Sequence, residues 1–275
     1  MTTSTAVRVR ALTRRYGAVT AVDGIDLDIA HGEVLALLGP NGAGKTTTVE
    51  ILEGHRRRTG GEVTVLGRDP ETAGRSWRRE IGIVLQGASD AGQLTVAETV
   101  RHFARYFPDP RDPDELIARV GLADRRDTLV RRLSGGQRRR VDVAVGIVGR
   151  PRLLFLDEPT TGFDPEARRD FWALVRSLET TVLLTTHALD EAEALADRVA
   201  VIAGGRIAAE GDPRTLGGRA TARATVAWRD GRAETHDPAG LVATLTRRYG
   251  GTVPGLTVSR PSLEDVYLDL IGGRS

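Results

Sequence analysis

A glycine-rich turn between an apolar run and a helix-like segment constrains the fold of this chain more than any other feature. The run EVLALLG ends at Gly39 and is typical of a buried strand, whereas TTTVEILEGH, which begins at Thr46, is typical of a helix. The turn GPNGAGKT between them fits the spacing G-x-x-x-x-G-K-[ST]. Glycines let successive backbone N–H groups face inward around phosphate oxygens, and the helix adds its positive N-terminal end. The turn therefore predicts a phosphate cradle.

Lys45 is the only lysine in a chain whose lysines and arginines number 39, so every other one of these residues is an arginine. An ammonium on a flexible stem reaches between β- and γ-phosphates, where a planar guanidinium needs more room. The hydroxyl of Thr46 is a predicted ligand of Mg²⁺. The predicted nucleotide-binding residues of this phosphate loop (residues 39–47) are Gly39, Pro40, Asn41, Gly42, Ala43, Gly44, Lys45, Thr46 and Thr47.

Strand and helix patterns alternate along most of the chain. VRVRAL and GIDLDIA alternate apolar and polar residues, as antiparallel strands do, and GEVTVLG and EIGIVLQ are further strand candidates. Two more apolar runs, RLLFLDEP and TVLLTTH, are each followed by a helical pattern. This order predicts an α/β fold with a mainly parallel core sheet and an antiparallel β subdomain. A helical subdomain is expected at about residues 88–150.

Polar side chains stand where three of the predicted strands end, and parallel strands bring such ends to one edge of the sheet. Asp157 and Glu158 end LLFLDE, His187 ends TVLLTTH, and Gln86 ends EIGIVLQ. Asp157 is a candidate for holding Mg²⁺, and Glu158 for taking a proton from an attacking water. His187 is a candidate contact of the γ-phosphate, and the neutral amide of Gln86 can ligate the metal or the water.

The segment LSGGQ opens a helix and predicts a second anion-binding end. Ser134 can cap this helix, while Gly135 and Gly136 leave N–H groups bare at its N-terminus. One phosphate loop already serves one nucleotide. Two phosphate-binding ends in one chain make sense if two chains meet head to tail, each closing the nucleotide of the other.

The pattern changes at about residue 216. ATVAWRDGRAETH predicts a hairpin that turns at Asp230 and Gly231, and two short helices flank the strand GLTVS. We therefore divide the chain into residues 1–215 and a small α+β appendage, residues 216–275. Its last helix carries an apolar face, which either packs on the preceding domain or helps to join two subunits. The residues of this face are Leu263, Val266, Tyr267, Leu270 and Ile271.

Over residues 5–215 the sequence resembles the nucleotide-binding subunit of ATP-binding cassette (ABC) transporters. The family motifs occur in order: Tyr16 in RRYG, GPNGAGKT, Gln86, LSGGQ with Ser134, Gly135, Gly136 and Gln137, LLFLDE, TGFD ending at Asp164, and His187. Phe163 stands where the family usually has leucine, a change that we expect the packing to tolerate. The C-terminal PSLEDVYLDLIGG is similar to the tail of bacterial drug-exporter and antibiotic-resistance ATPases.

The resemblance implies an ATPase that uses ATP and Mg²⁺, with Tyr16 stacking on adenine. It implies catalytic roles for Lys45, Gln86, Glu158 and His187, with Gln86 also among the metal-binding residues. It further implies a homodimer with ATP at the interface, coupled to a separate integral membrane permease. Export of drugs or other small hydrophobic compounds is the favoured transport. An importer ATPase, or a soluble ABC ATPase not linked to transport, stays open as an alternative.

The composition predicts where the protein lies in the cell and argues against two classes of protein, nucleic-acid-binding proteins and GTPases. No run approaches 18 apolar residues and no signal peptide is evident, so we expect a cytoplasmic protein, peripheral on the inner face of the membrane. With a net charge of +2, the arginine clusters at residues 56–58 and 138–140 are interpreted as solvated faces rather than a nucleic-acid surface. The single lysine lies in the phosphate loop, which excludes the Asn-Lys-x-Asp motif of a GTPase.

Overall fold

The computed structural model describes residues 5–84 and 91–272, which form twelve strands and nine α-helices. The strands are β1 (Thr5–Tyr16), β2 (Val19–Ala30), β3 (Val34–Leu38), β4 (Gly60–Val65), β5 (Ile81–Val84), β6 (Leu153–Asp157), β7 (Thr181–Thr186), β8 (Arg198–Ala203), β9 (Arg206–Gly211), β10 (Ala224–Trp228), β11 (Gly231–Thr235) and β12 (Thr257–Ser259). The helices are α1 (Lys45–Leu52), α2 (Arg75–Arg78), α3 (Val96–Ala104), α4 (Pro113–Arg119), α5 (Gly135–Ile147), α6 (Pro165–Arg176), α7 (Leu189–Leu195), α8 (Pro238–Arg248) and α9 (Leu263–Gly272).

The central sheet has the order β5-β6-β7-β3-β8-β9, and only β9 runs antiparallel to its neighbour. Both faces of this sheet are covered, which explains why β3 and β6 are apolar throughout most of their length. In β3, Leu35 and Leu37 face the core shared with β1, β2 and α1, whereas Ala36 and Leu38 face the core shared with the helices. The predicted fold class is confirmed.

A second sheet, β2-β1-β4, is antiparallel and lies over one face of the central sheet. Its strands alternate because only one side is buried: Val7 and Val9 are fully buried, while Arg8 and Arg10 point to solvent. Trp77 of α2 fills the end of this core, where its indole Nε1 donates to Val65 O at 3.0 Å.

The helical subdomain packs α3, α4 and α5 against the other face. Each helix begins at a side-chain cap, which satisfies backbone N–H groups that the first turn leaves free. Thr95 and Glu98 form a capping box at α3, and Asp112 accepts from two N–H groups at α4 ahead of Pro113. These local signals are why the sequence pattern located the helices.

The appendage has two parts that behave differently. The sheet β11-β10-β12 and α8 enclose a small core of their own around Val226, Leu245 and Val253. In contrast, α9 returns to the main core, where Leu263 is 1% exposed and Val266 and Tyr267 pack beside it. The apolar face of α9 therefore packs in part on the chain's own domain, as the first of the two alternatives predicts, and a role in joining two subunits stays a prediction. The division at residue 215 stays a prediction.

The described helices are short, and the longest, α5, has 13 residues. A helix that spans a bilayer needs about 20 apolar residues. Within residues 5–84 and 91–272, no helix has the length and apolar character that crossing a membrane requires.

Candidate functional site

A cleft of about 430 Å³ lies where β3 and β6 end, on the carboxyl edge of the central sheet. Because β7 runs between these two strands, the phosphate loop and the acidic pair reach the cleft from neighbouring positions. The residues lining it are Ala21, Asn41, Gly42, Gly44, Lys45, Thr46, Thr47, Asp157 and Glu158. Six of the nine predicted phosphate-loop residues line this cleft, whereas Gly39, Pro40 and Ala43 do not.

Two glycines of the phosphate loop are required by close packing. A Cβ on Gly39 would lie 2.5 Å from Ile202 O of β8, and a Cβ on Gly44 would lie 2.5 Å from Ala21 O of β2. Gly44 also has a φ of 108°, a conformation that favours glycine. The loop is therefore held between the two sheets, which fixes where its N–H groups point.

Lys45 is almost fully buried, with 7% of its surface exposed. Its Nζ donates to Gly39 O at 2.6 Å and to Pro40 O at 3.2 Å, so the ammonium lies inside the turn. Burial lowers the pKa of this ammonium, while the carboxylates of Glu158 and Asp157 act in the opposite direction. The cation is thus confined between the loop carbonyls and the acidic pair.

The acidic pair is fixed by β7 on one side. Thr185 Oγ1 donates to Asp157 Oδ1, and the N–H of Glu158 donates to Thr185 O at 3.0 Å. Glu158 has a φ of 43°, which is unusual for a residue with a side chain and turns the chain sharply after β6. Thr161 Oγ1 donates to Glu158 Oε2 at 3.3 Å.

His187 follows directly on β7 and lies beside the acidic pair. Its Nδ1 is 3.2 Å from Glu158 Oε1, and its side chain is 60% exposed. The prediction from parallel strand ends thus agrees with the geometry for His187, Asp157 and Glu158. Gln86, the fourth predicted strand-end residue, lies outside the described residues.

The signature segment (residues 134–137) lies apart from the phosphate loop in one chain. Ser134 Oγ accepts from Gln137 N at 3.2 Å, and Gln137 Oε1 accepts from Ser134 N at 3.1 Å, a reciprocal cap on α5. Ser134, Gly136 and Gln137 line a separate cleft of about 240 Å³, together with Asp164. Gly135 faces a third cleft, which Glu158 also lines.

Asp164 caps α6, and its Oδ1 accepts from Ala167 N at 2.9 Å and from Glu166 N at 3.0 Å. The bond from Ala167 N is the main reason why its pKa lies below the usual value. The neighbouring Phe163 packs edge-on against Phe171, with ring centroids 5.7 Å apart. The phenylalanine is therefore accommodated in this position.

Tyr16, the predicted adenine-stacking residue, ends β1 with 37% of its surface exposed. The guanidinium of Arg14 lies 4.4 Å from the ring centroid, and that of Arg56 lies 5.5 Å away. These cations favour the electron-rich face of the ring. The ring does not line the phosphate cleft, but it stands at the accessible end of β1.

The interpretation of residues 138–140 as a solvated face is wrong for Arg139, which is 6% exposed. It lies on the same side of α5 as the buried Val143 and Ile147, at steps of four residues. That spacing was visible in the sequence and would have placed Arg139 inside. Thr185, whose hydroxyl contacts Asp157, was also overlooked because the apolar run TVLLTTH suggested only a strand.

Comparison with known proteins supports the resemblance to ABC transporter ATP-binding subunits. The family model described as ABC transporter matches residues 22–161. The daunorubicin/doxorubicin resistance ATP-binding protein DrrA of Streptomyces peucetius is 46% identical over 75% of this chain and 65% of its own length. DrrA2 of Streptomyces coeruleorubidus is 39% identical over 98% of this chain and 96% of its own length. The Nod factor export ATP-binding protein I of Ralstonia nicotianae is 38% identical over 96% of this chain and 93% of its own length.

Solved structures share the fold. An ATP-binding subunit of an ABC transporter covers 96% of this chain with a TM-score of 0.71 at 22% identity. A dimeric bacterial ABC transporter cassette covers 75% of this chain with a TM-score of 0.65 at 22% identity. At this identity the structures support the fold, while the family model and the sequence relatives support the activity. The chain belongs to the family of ABC transporter ATP-binding proteins, and its activity is ATP hydrolysis.

Proposed function

We propose that this chain is the ATP-hydrolysing subunit of an exporter for drugs or other small hydrophobic compounds. The observation that carries the proposal is the full-length similarity to DrrA2, a daunorubicin resistance ATP-binding protein, which includes the appendage as well as the motifs. The Nod factor export protein, similar over 96% of this chain, favours the same direction of transport. The relatives' names give no support to an importer or to an ABC ATPase without a transport role.

ATP binds in the phosphate cleft, with the N–H groups of the phosphate loop and the Lys45 ammonium around its phosphates. Tyr16 stacks on the adenine. The site also fits Mg²⁺, because the Thr46 hydroxyl and the Asp157 carboxylate line the same cleft and are the hard oxygen donors that this ion prefers. When bound, the ion would neutralise negative charge on the phosphates. The amide of Gln86 is the further metal donor that the sequence predicts.

Glu158 is the general base. Its carboxylate lines the cleft and accepts a proton from the water that attacks the γ-phosphate. His187, whose Nδ1 is 3.2 Å from Glu158 Oε1, orients this carboxylate and contacts the γ-phosphate through its other ring nitrogen. Thr185 holds one carboxylate oxygen of Asp157, a residue that lines the cleft.

The closed site needs two chains. In one chain the signature segment and Asp164 line a cleft of their own, separate from that of the phosphate loop. A head-to-tail homodimer brings this cleft over the nucleotide of the partner, where the N-terminal end of α5 meets the γ-phosphate. Closure of this dimer drives an integral membrane permease, which places the chain on the cytoplasmic face of the membrane. No nucleic acid is involved.

The test is transport in inside-out membrane vesicles that contain the tagged chain together with the membrane protein that co-purifies with it. We expect ATP-dependent accumulation of daunorubicin inside the vesicles. The matched variant is Glu158→Gln, which should bind MgATP but lose roughly 10²- to 10⁴-fold in hydrolysis, the range for a general base. It should therefore abolish accumulation.

Three results would contradict the proposal. Recovery of the chain with ribosomes or DNA, and with no membrane protein, would argue against a transport role. Accumulation of daunorubicin without ATP would show that this chain does not drive the transport. Normal hydrolysis by Glu158→Gln would place the base elsewhere, whatever the transported compound is.

A further inference from the structure

Arg139 is a buried cation in the helix that the signature segment opens. It is 6% exposed, and burial lowers the pKa of its guanidinium, whereas Asp142, Asp157 and Glu191 act in the opposite direction. An arginine stays protonated even so, and a buried charge costs free energy unless it is hydrogen-bonded. The hydrogen-bond partners of the guanidinium therefore indicate its structural role.

The guanidinium binds the backbone on both sides of Glu158. Its Nη2 donates to Asp157 O at 2.7 Å, and its Nε donates to Pro159 O at 3.2 Å. A longer contact of 3.5 Å joins Nη2 to Val84 O at the end of β5. The planar fork of donors suits the two carbonyls that flank Glu158, which a single ammonium would not bridge in the same way.

The backbone of Glu158 is in a conformation that needs such support. Its φ of 43° lies in the left-handed region, which costs about 1 kcal/mol or more for a residue with a side chain. On the other side, the N–H of Glu158 is held by Thr185 O at 3.0 Å. Glu158 is thus clamped between β7 and α5, and the clamp sets where its carboxylate points.

We propose that Arg139 is a positioning residue, which acts on hydrolysis by fixing the backbone that aims the Glu158 carboxylate. The inference rests on the proposal that Glu158 is the base. Arg139 lies on the helix that begins at the signature segment. Its bonds to the carbonyls of Asp157 and Pro159 therefore connect the signature segment of a chain to the base of the same chain. Arg139 itself does not line the phosphate cleft, so it should affect hydrolysis without affecting nucleotide binding.

The experiment compares Arg139→Met, which keeps a long side chain and removes all donors, with Arg139→Lys, which keeps the charge and loses the fork. Arg101→Met is the matched control, because Arg101 forms an exposed ion pair with Asp114 on the same subdomain. We expect kcat to fall by roughly 10- to 100-fold in Arg139→Met, as for a displaced catalytic group. Arg139→Lys should lie between this variant and wild type, while the KM for ATP stays within about threefold.

A second arm introduces Arg139→Met into Glu158→Gln and measures single-turnover hydrolysis. If Arg139 acts through Glu158, the double variant should be no slower than Glu158→Gln alone, because the two effects do not add. Equal losses in both backgrounds would overturn the inference, as would a wild-type kcat in folded Arg139→Met. Should Arg139→Met fail to fold, Arg139→Lys takes its place in both arms. Full activity of Glu158→Gln alone would instead refute the assignment of the base.

Discussion

Lys45 and Glu158 show how the backbone, at the scale of single residues, decides what a side chain can do. The Lys45 ammonium is confined between the carbonyls of Gly39 and Pro40, and only 7% of the residue is exposed. Glu158 is aimed by an unusual φ and by bonds to both flanking carbonyls. In both cases the sign of the charge alone does not define the role of the side chain. The surrounding backbone also restricts the shape and the direction of the charged group.

Lys45→Arg tests the importance of shape at constant charge. The guanidinium is broader than the space between the Gly39 and Pro40 carbonyls, so it cannot take the position of Nζ. We expect MgATP affinity to fall by roughly 10- to 100-fold, in line with the loss of a charge-assisted bond of about 1.5–3 kcal/mol. A fluorescent-nucleotide titration measures the loss, with a thermal melt to show that the variant folds. Wild-type affinity in the folded variant would disprove this account of the solitary lysine.

Glu53 makes stability depend on pH in a direction opposite to that of most carboxylates. It is 3% exposed at the end of α1, and burial, with Asp157 and Glu50 nearby, raises its pKa from 4.5 to about 8. Exposed His55 lies 3.3 Å away but does not offset the burial. Because the folded state holds this proton more tightly than the unfolded state, the contribution to stability is present below pH 4.5 and declines up to about pH 8.

Glu53→Gln removes this titration. Relative to wild type, the free energy of unfolding of the variant should increase by about 1 kcal/mol for each pH unit between pH 5 and 8 and then level off. Urea titrations at five pH values measure the difference, and Glu62→Gln, at an exposed position of β4, is the control. A difference that does not change with pH would show that Glu53 is already ionised in the folded protein.

At the scale of elements, the strands and helices that carry the site were predictable, because each is marked locally. EVLALL leads into a glycine-rich turn, LLFLD and TVLLTT end in polar residues, and Thr95, Asp112 and Ser134 are helix caps. Arg139 and Glu53 were not predicted, because the burial of a charge depends on which side of a helix meets the core. The apolar Val143 and Ile147 mark that side for Arg139, whereas Glu53 has only Val49, four residues before it, as such a marker.

The packing of α9 on the main core leads to a prediction at this scale. Leu263 is 1% exposed, whereas Leu268 on the same helix is 52% exposed, so the two leucines form a matched pair. Leu263→Ala should lower the free energy of unfolding by about 2–5 kcal/mol, because it leaves a cavity under the helix. Leu268→Ala should change it by less than about 0.5 kcal/mol. Urea unfolding measures both, and equal effects would show that α9 does not pack on the core in solution.

At the scale of the whole molecule, the proposed dimer requires that one chain carry the two halves of a nucleotide site on different surfaces. Asn41 lines the phosphate cleft, and Ser134 lines the separate cleft at the N-terminus of α5. In two copies related by a twofold axis, the phosphate cleft of each chain would face the α5 cleft of its partner. The twofold axis means that this contact is made twice. The dimeric cassette with a TM-score of 0.65 shows that this fold occurs in a dimer.

The absence of cysteine from the sequence makes the arrangement of these halves testable by disulfide formation. In Asn41→Cys/Ser134→Cys, built on Glu158→Gln to keep ATP bound, the two new thiols are the only ones in the chain. If the site forms between chains, MgATP and a mild oxidant should give a band of dimer mass on a non-reducing gel, because each thiol meets the other kind on its partner. The two single variants, oxidised under the same conditions, show how much dimer forms by random collision. A disulfide confined to the monomer band would place both halves of the site in one chain and would refute the head-to-tail dimer.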